Sequence, residues 1–444
     1  MLHDISTART VSSDIRSYLA EQERKSMLRF LTCGSVDDGK STLIGRLLYD
    51  TRLIFEDQLA ALRRESAHHG TTGEEFDFAL LVDGLEAERE QGITIDVAYR
   101  YFSTPARKFI IADAPGHEQY TRNMVTGAST ADAAIILIDA TRAASGELLP
   151  QTKRHSAIAQ LLGIRHIVVA VNKMDLVDWD REVFARIEAA YGRLAAKLGI
   201  AHFHALPLSA LNGDNVVTPS ARTPWYTGEP LLTLLESLDL ASDGRGLPLR
   251  FPVQWVARHG GDSKDDFRGY AGRVASGVLR PGDEIVVQPA GTAAVVRELR
   301  AFDRALDEAV AGDSVTLVLD RDVDVSRGDI ISHAQAPARV TREFDAELCW
   351  LDAQPLNPSR RYLLKHGTRL TSARVRAVHA VRDIHELEEV ARADAALNMN
   401  DIGRVTLATR EALPADRYDD VPATGAFILI DEATHQTAAA GMLR

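Results

Sequence analysis

The chain of 444 residues contains only two cysteines, Cys33 and Cys349. They lie far apart in apolar runs, with neither CxxC nor His-rich spacing around them, which excludes a disulfide framework and a zinc module. Reduced, buried thiols of the kind a cytoplasmic protein keeps are what remains. No run approaches the ~20 apolar residues that a membrane span requires. The opening stretch MLHDISTARTVSSDIRSYLAEQERKSM has no apolar segment, so no secretory signal is expected there. Positive charge is also short: 51 Lys and Arg stand against 63 Asp and Glu, a formal net charge of -12. That balance opposes the phosphate backbone and disfavours nucleic acid as the primary partner. Solenoid repeats and low-complexity tracts are lacking as well. The expectation is a cytoplasmic protein with neither a membrane nor a nucleic-acid partner.

What is present is ordinary for a globular protein, 45% hydrophobic and 26% charged residues. The length exceeds one core and suggests about three domains of roughly 150 residues. From Met27 to about Leu240, short β-branched runs alternate with helical patterns, the signature of a parallel sheet covered by helices. Strands are expected at Leu28–Cys33, Lys108–Ala112, Ala133–Asp139, His166–Val171 and Phe203–Leu208. Helices are expected at Ser41–Tyr49, Gln151–Leu162 and Arg181–Leu198, with a further one from Ser12 or Ser13 to about Arg24. After the Gly/Pro-bearing linker ASDGRGLP the texture becomes short alternating strands, a small barrel to about Ala336, then a second β-rich segment to the end. The domains are therefore expected at 1–243, 244–337 and 338–444.

Four short elements follow strands in turn. Gly34-Ser35-Val36-Asp37-Asp38-Gly39-Lys40-Ser41, with Thr42 next, fits G-x-x-x-x-G-K-[ST] between a strand and a helix. Its glycines let backbone N–H groups converge on phosphates, Lys40 reaches the β/γ-phosphates, and the Ser41 hydroxyl can ligate Mg²⁺. Asp113-Ala114-Pro115-Gly116-His117 follows KFIIA, which places Asp113 to hold Mg²⁺ through water and the Gly116 N–H to meet a γ-phosphate. In Asn172-Lys173-Met174-Asp175 the carboxylate of Asp175 can accept two hydrogen bonds from guanine that adenine cannot supply. Asn172 would brace this loop, and the Lys173 stem would cover the ring. Leu208-Ser209-Ala210 fits the loop whose backbone N–H contacts the guanine O6. Between the first two elements Thr94, after Gly92-Ile93, can close on Mg²⁺ while a γ-phosphate is present. Their order along alternating strands and helices indicates a GTP-binding domain.

DAPGH, GITI and NKMD resemble the translation-factor branch of GTPases, standing nearly as in elongation factor Tu. The resemblance implies an α/β P-loop GTPase domain, mostly parallel with helices on both faces, followed by two β-barrel domains. It further implies that His117 orients the attacking water, that Val36 and Ile93 gate it, and that Lys40 and Thr94 share in catalysis. Within that branch LRFLTCGSVDDGKSTLIGRLLYDT, IFEDQLAAL, FDFALLVDGLEAEREQGITIDVAYRYFST and WLDAQPLNPSRRYLLKHGTR resemble the GTPase subunits of bacterial sulfate adenylyltransferase. Such subunits use GTP and Mg²⁺ and pair with a smaller catalytic subunit that joins sulfate to AMP from ATP. GTP hydrolysis drives that uphill reaction. The alternative is an elongation-factor-type GTPase that delivers aminoacyl-tRNA; a GTP-binding scaffold with negligible turnover is disfavoured by the presence of Thr94 and His117. Some family members continue into an adenylylsulfate kinase, which needs another G-x-x-x-x-G-K-[ST]; with none here, that step is expected elsewhere.

Three features stay open. Gly260-Gly261-Asp262-Ser263-Lys264 reads as a polar hairpin loop. The stretch Arg360–Arg382 holds seven Lys and Arg and no Asp or Glu, either a solvated barrel face or a docking surface for an acidic partner. Two carboxylates sit inside an anion-binding loop: Asp38 is expected as a solvated or hydrogen-bonded loop residue, and Asp37 near a monovalent cation or a backbone amide.

Overall fold

Continuous apolar runs such as AAIILID have no polar face to offer water, and they form the middle of a sheet buried on both sides. The computed structural model describes residues 25–51, 78, 96–117, 120–240, 244–259, 267–302, 304–382, 389–390 and 396–444. Thr94, Ile93, the expected N-terminal helix and the 260–264 loop lie outside the described residues. The chain divides into two compact units, Met1–Asp239 and Leu240–Arg444.

In the first unit the order is β1 (Met27–Cys33), α1 (Lys40–Asp50), β2 (Ala98–Ser103), β3 (Lys108–Asp113), α2 (Thr121–Ala128), β4 (Ala133–Asp139), α3 (Pro150–Leu161), β5 (His166–Asn172), α4 (Arg181–Leu198), β6 (Phe203–Pro207) and α5 (Leu231–Ser237). The sheet runs β2-β3-β1-β4-β5-β6. All pairings are parallel except β2 with β3. The edge strand β2, which was not among the expected strands, alternates partly buried and exposed residues, and leaves Tyr101 70% exposed. Helices α1 and α2 pack against β3, α3 against β4, and α4 against β5 and β6. Helix α4 spans the expected residues because both ends are marked: the Asp180 side chain accepts from the Glu182 N–H at 2.7 Å, and Gly199 takes φ 73° at the C-terminus. The chain leaves β1 for β3 on one side and β4 on the other, so the crevice at the carboxyl ends of these strands is the natural ligand position.

The second unit holds two closed barrels. The first contains β7 (Phe251–His259), β8 (Phe267–Arg273), β9 (Glu284–Gln288), β10 (Thr292–Ala301), β11 (Ser314–Leu319) and β12 (Ile330–His333). They run β9-β12-β7-β8-β11-β10, and β9 pairs with β10 to close the ring. The next contains β13 (Arg339–Trp350), β14 (Tyr362–His366), β15 (Arg369–Arg382), β16 (Ile402–Ala415), β17 (Ala426–Asp431) and β18 (Thr437–Leu443). These run β14-β17-β18-β13-β16-β15 and close through β14 with β15. Each barrel fills its interior with the alternate side chains of its strands: Phe251, Tyr270, Ile285, Leu299 and Leu317 in the first, Leu348, Trp350, Tyr362, Leu364 and Leu407 in the second. Trp350 and Tyr362 meet edge to face at 5.7 Å between ring centroids. Charged residues such as Arg297, Arg374 and Arg376 stand at exposed positions of the strands, as a wet face allows.

A nearly dry ion pair joins the two barrels. Arg250 donates from Nε and Nη2 to the two carboxylate oxygens of Asp416, each at 2.7 Å, and from Nη1 to the Ala336 carbonyl at 2.8 Å. The side chains are 4% and 12% exposed. Replacing Asp416 with Ala leaves a buried guanidinium uncompensated and should lower the stability of the second unit by about 3–5 kcal/mol. Denaturant unfolding checks this, and replacing Arg250 and Asp416 together with Met and Leu should lose far less.

Candidate functional site

Every strand of the parallel set ends in a loop that contributes to one place. The loop Gly34–Ser41 leaves β1 and enters α1, whose N-terminus carries no side-chain cap. Its first N–H groups are thus left to a ligand, which is the arrangement that binds anions. Gly39 has φ 90°, and a Cβ there would stand 2.4 Å from Asn172 Nδ2. Only glycine fits, for both reasons. Thr42, on the first turn of α1, is half-buried.

Lys40 lies under the loop, 7% exposed, and donates to the Ser35 carbonyl at 2.7 Å and the Gly34 carbonyl at 3.4 Å. Burial lowers the pKa of its ammonium, while Asp113 and Asp38 pull it back up. Asp113 ends β3 fully buried; Thr32 Oγ1 donates to its Oδ1 at 3.0 Å and Ser41 Oγ to its Oδ2 at 3.4 Å. Ala114, Pro115 and Gly116 follow it as buried backbone. A Cβ on Gly116 would meet Lys40 Nζ at 2.5 Å and Val36 N at 2.9 Å, so the second loop lies directly over the first. Gln151, at the start of α3, donates to the Gly116 carbonyl at 3.1 Å. His117 is half-buried, its ring 6.0 Å from that of Tyr120.

Asn172 at the end of β5 connects three loops. Its Nδ2 donates to the Asp38 carbonyl at 2.8 Å, and its Oδ1 accepts from the Ala210 N–H at 2.9 Å. Met174 is fully buried, and its N–H reaches the Leu208 carbonyl at 3.3 Å. Lys173, in the left-handed region at φ 61°, pairs through Nζ with Asp139 Oδ2 at 2.8 Å. Burial pushes the Asp139 carboxyl up, but the hydrogen bonds from Lys173 and Thr141 outweigh it and leave the pKa low. Asp175 is half-buried beside them, while Ser209 and Ala210 are buried after β6. These contacts bring Lys40, Ser41, Asp113, Gly116, Asn172, Met174 and Ala210 together across the loops.

The two loop carboxylates part company. Asp37 is exposed with φ 67°. Asp38 is fully buried rather than solvated: its Oδ2 accepts the Ser35 N–H at 2.6 Å, and Arg142 Nη1 stands 3.6 Å from its Oδ1. Burial pushes its pKa up to about 6 against the pull of Lys40. Arg142 also donates to the Val36 carbonyl at 2.8 Å. On the other side of the loop the Gly34 N–H donates to Nδ1 of the buried His155 at 3.1 Å. Burial, aided by the nearby Lys40 charge, depresses its pKa to about 3, so the ring is neutral and the proton sits on Nε2. Asp139, Arg142, Gln151 and His155 were not named from the sequence. Only Asp139 carried a signal, an acid closing an otherwise apolar strand.

The oxygens of Ser41 and Asp113, 3.4 Å apart, form a hard donor pair of the kind Mg²⁺ prefers. Among the described residues no group of three or more His, Cys, Asp or Glu could hold a metal by itself.

The fold and these loops define a GTP-binding protein of the translation-factor class. The family model for the elongation factor Tu GTP binding domain matches residues 25–242, that for elongation factor Tu domain 2 matches 270–332, and that for the GTP-eEF1A C-terminal domain-like group matches 343–444. Sulfate adenylyltransferase subunit 1 of Saccharophagus degradans is 51% identical over 98% of this chain and 90% of its own length. The corresponding protein of Tolumonas auensis is 52% identical over 97% and 89%. The chain belongs to the sulfate adenylyltransferase subunit 1 family. Among solved structures, the S. cerevisiae Ski7 GTPase-like domain bound to GTP shares the fold, with a TM-score of 0.53 at 18% identity over 97% of this chain and 99% of that one. No helix among the described residues is long and apolar enough to cross a membrane.

The raised pKa of Asp38 has a definite sign. Between the ordinary carboxylate value and about 6 the folded protein holds a proton that the unfolded chain has released, so stability falls as pH rises through that window. Asp38→Asn removes this titration. The variant should gain on the parent as pH rises from 4 to 7, by about 2–3 kcal/mol in all, read from denaturant unfolding at each pH. A stability gap that does not change with pH would overturn the assignment.

Proposed function

We propose that the chain is the GTP-hydrolysing subunit of a two-subunit ATP sulfurylase. GTP hydrolysis here drives a smaller catalytic subunit to join sulfate to AMP from ATP, releasing pyrophosphate. The observation that carries this reading is the set of loops joined through Asn172 at the carboxyl ends of the strands, in a chain half identical to proteins named sulfate adenylyltransferase subunit 1.

In this reading the loop from Gly34 to Thr42 wraps the phosphates, through the backbone N–H groups other than those of Gly34 and Ser35, which His155 and Asp38 already engage. Lys40, now on the Ser35 and Gly34 carbonyls, exchanges them for β- and γ-phosphate oxygens. Ser41, Asp113 and Thr94 would hold Mg²⁺, which would supply neutralising charge for the phosphates. The Gly116 N–H meets the γ-phosphate, and His117 orients the water that attacks it, giving GDP and phosphate. Val36 and Ile93 shield that water. Asp175 accepts from the guanine N1–H and amine, the Lys173 stem covers the ring, and the Ala210 N–H faces O6. Thr94 releases its grip once the γ-phosphate leaves, and that change is passed to the partner. The two buried free cysteines suit a reducing cytoplasm.

Mixed with the small subunit, ATP and sulfate, the protein should make adenylylsulfate formation depend on GTP. No dependence, together with tight binding of charged tRNA, would replace this reading with aminoacyl-tRNA delivery. At the residue level, His117→Ala should lower GTP turnover by about 100-fold or more while nucleotide affinity stays nearly unchanged. A collapse of affinity instead would make His117 a structural residue.

A further inference from the structure

The second barrel of the Leu240–Arg444 unit carries a groove of about 410 Å³ with four arginines around it: Arg361, Arg374, Arg376 and Arg410. Strand geometry puts them together. Arg374 on β15 lies opposite Ala408 of β16, and Arg410 follows Thr409, the partner of Ala373. Arg376 is the extra residue where the β15–β16 register shifts between Val375 and Ala377, a bulge that re-aims its side chain. Arg361 immediately precedes Tyr362, which pairs with Ala373 from the other side. The rest of the lining is short: Ser372, Ala373, Ala408 and Thr409.

All four arginines are exposed, and none has an ion-pair partner among the described residues. Their neighbours on the same barrel do. Arg360 pairs with Asp431 at 3.1 Å, Arg369 with Asp329 at 2.6 Å, and Arg382 with Glu347 at 3.6 Å. Glu343, which also flanks Ala408, makes no such pair with them. In a chain of net charge -12, four like charges converging on one concavity repel one another and attract an anionic partner.

We propose that this groove docks an extended acidic segment of the small catalytic subunit, an inference that rests on the function proposed above. Arginine rather than lysine suits it, because each guanidinium can grip a carboxylate with two parallel hydrogen bonds. The small lining side chains leave room for a backbone to lie between them. Single-stranded nucleic acid fits less well, since among the described residues no aromatic ring lines the groove for a base to stack on. A small anion fits less well too, since an exposed charge pair contributes little and several must act together.

The test uses the full chain. Anisotropy of a fluorescein-labelled peptide of alternating Glu and Ser should report binding that weakens steeply with salt and falls at least about tenfold in Arg374→Glu/Arg410→Glu. Arg297→Glu, exposed on the other barrel, should leave it unchanged. The double variant should hydrolyse GTP at the parent rate and yet lose association with the small subunit. Retention of peptide binding, or retention of the subunit when peptide is lost, overturns the docking assignment. Loss confined to an RNA oligonucleotide replaces it with nucleic-acid binding. If the small subunit fails to bind even the parent chain, the proposed function falls, and the peptide titration still decides whether the groove takes acidic polypeptide.

Discussion

One side-chain amide holds the site together. Asn172 spends its donor on the Asp38 carbonyl and its acceptor on the Ala210 N–H, so loops after β1, β5 and β6 share a single rigid connector. A carboxylate could not donate to the first and a lysine ammonium could not accept from the second; the amide does both. The connection is tight enough that Gly39 can carry no side chain, because the amide occupies the space a Cβ would take. What holds the loop after β1 is therefore the same group that holds the loop after β6.

The electrostatics follow from burial of a cation. Lys40 sits in a dry position and is compensated by Asp113 and Asp38. Each of these acids is in turn occupied: Asp113 by Thr32 and Ser41, Asp38 by the Ser35 N–H. Lys173 and Asp139 form a second pair at the ends of β5 and β4. Charges of both signs are thus distributed around the loop so that added phosphate meets an ammonium already desolvated and held by weak carbonyl acceptors. Such a group has little solvent to shed when a stronger anion arrives.

Much of the site was legible because its residues end strands, and strand ends are marked by the switch from apolar runs to Gly, Asp and Asn. The expected strands fell one residue short at Asp113 and Asn172, which prove to be the last paired residues of β3 and β5. Both remain in the ladder because parallel neighbours hold them, Thr32 opposite Asp113 and Asp139 opposite Asn172. The supporting residues were not legible. Arg142 and His155 act on a loop more than a hundred positions earlier, and no local spacing encodes such a contact. His155 in particular reads as one polar residue in an amphipathic helix until the fold brings it beneath Gly34. The edge strand β2 was missed for a different reason: its partly exposed alternation lacks the buried run that marks the inner strands.

The adjacent acids Asp37 and Asp38 show how a carboxylate can belong in an anion-binding loop. Asp38 turns inward and accepts the Ser35 N–H, so that donor serves the loop's own shape rather than a phosphate. The remaining donors, at the N-terminus of α1 and on Lys40, are oriented by the turn this bond closes. Asp37 faces solvent at φ 67°, a left-handed conformation that Asp tolerates better than most residues with a Cβ. One acid thus shapes the cradle from inside while the other occupies a backbone position few side chains accept. Neither needs to contact the anion, and the loop's affinity for phosphate rests on the backbone that they hold in place.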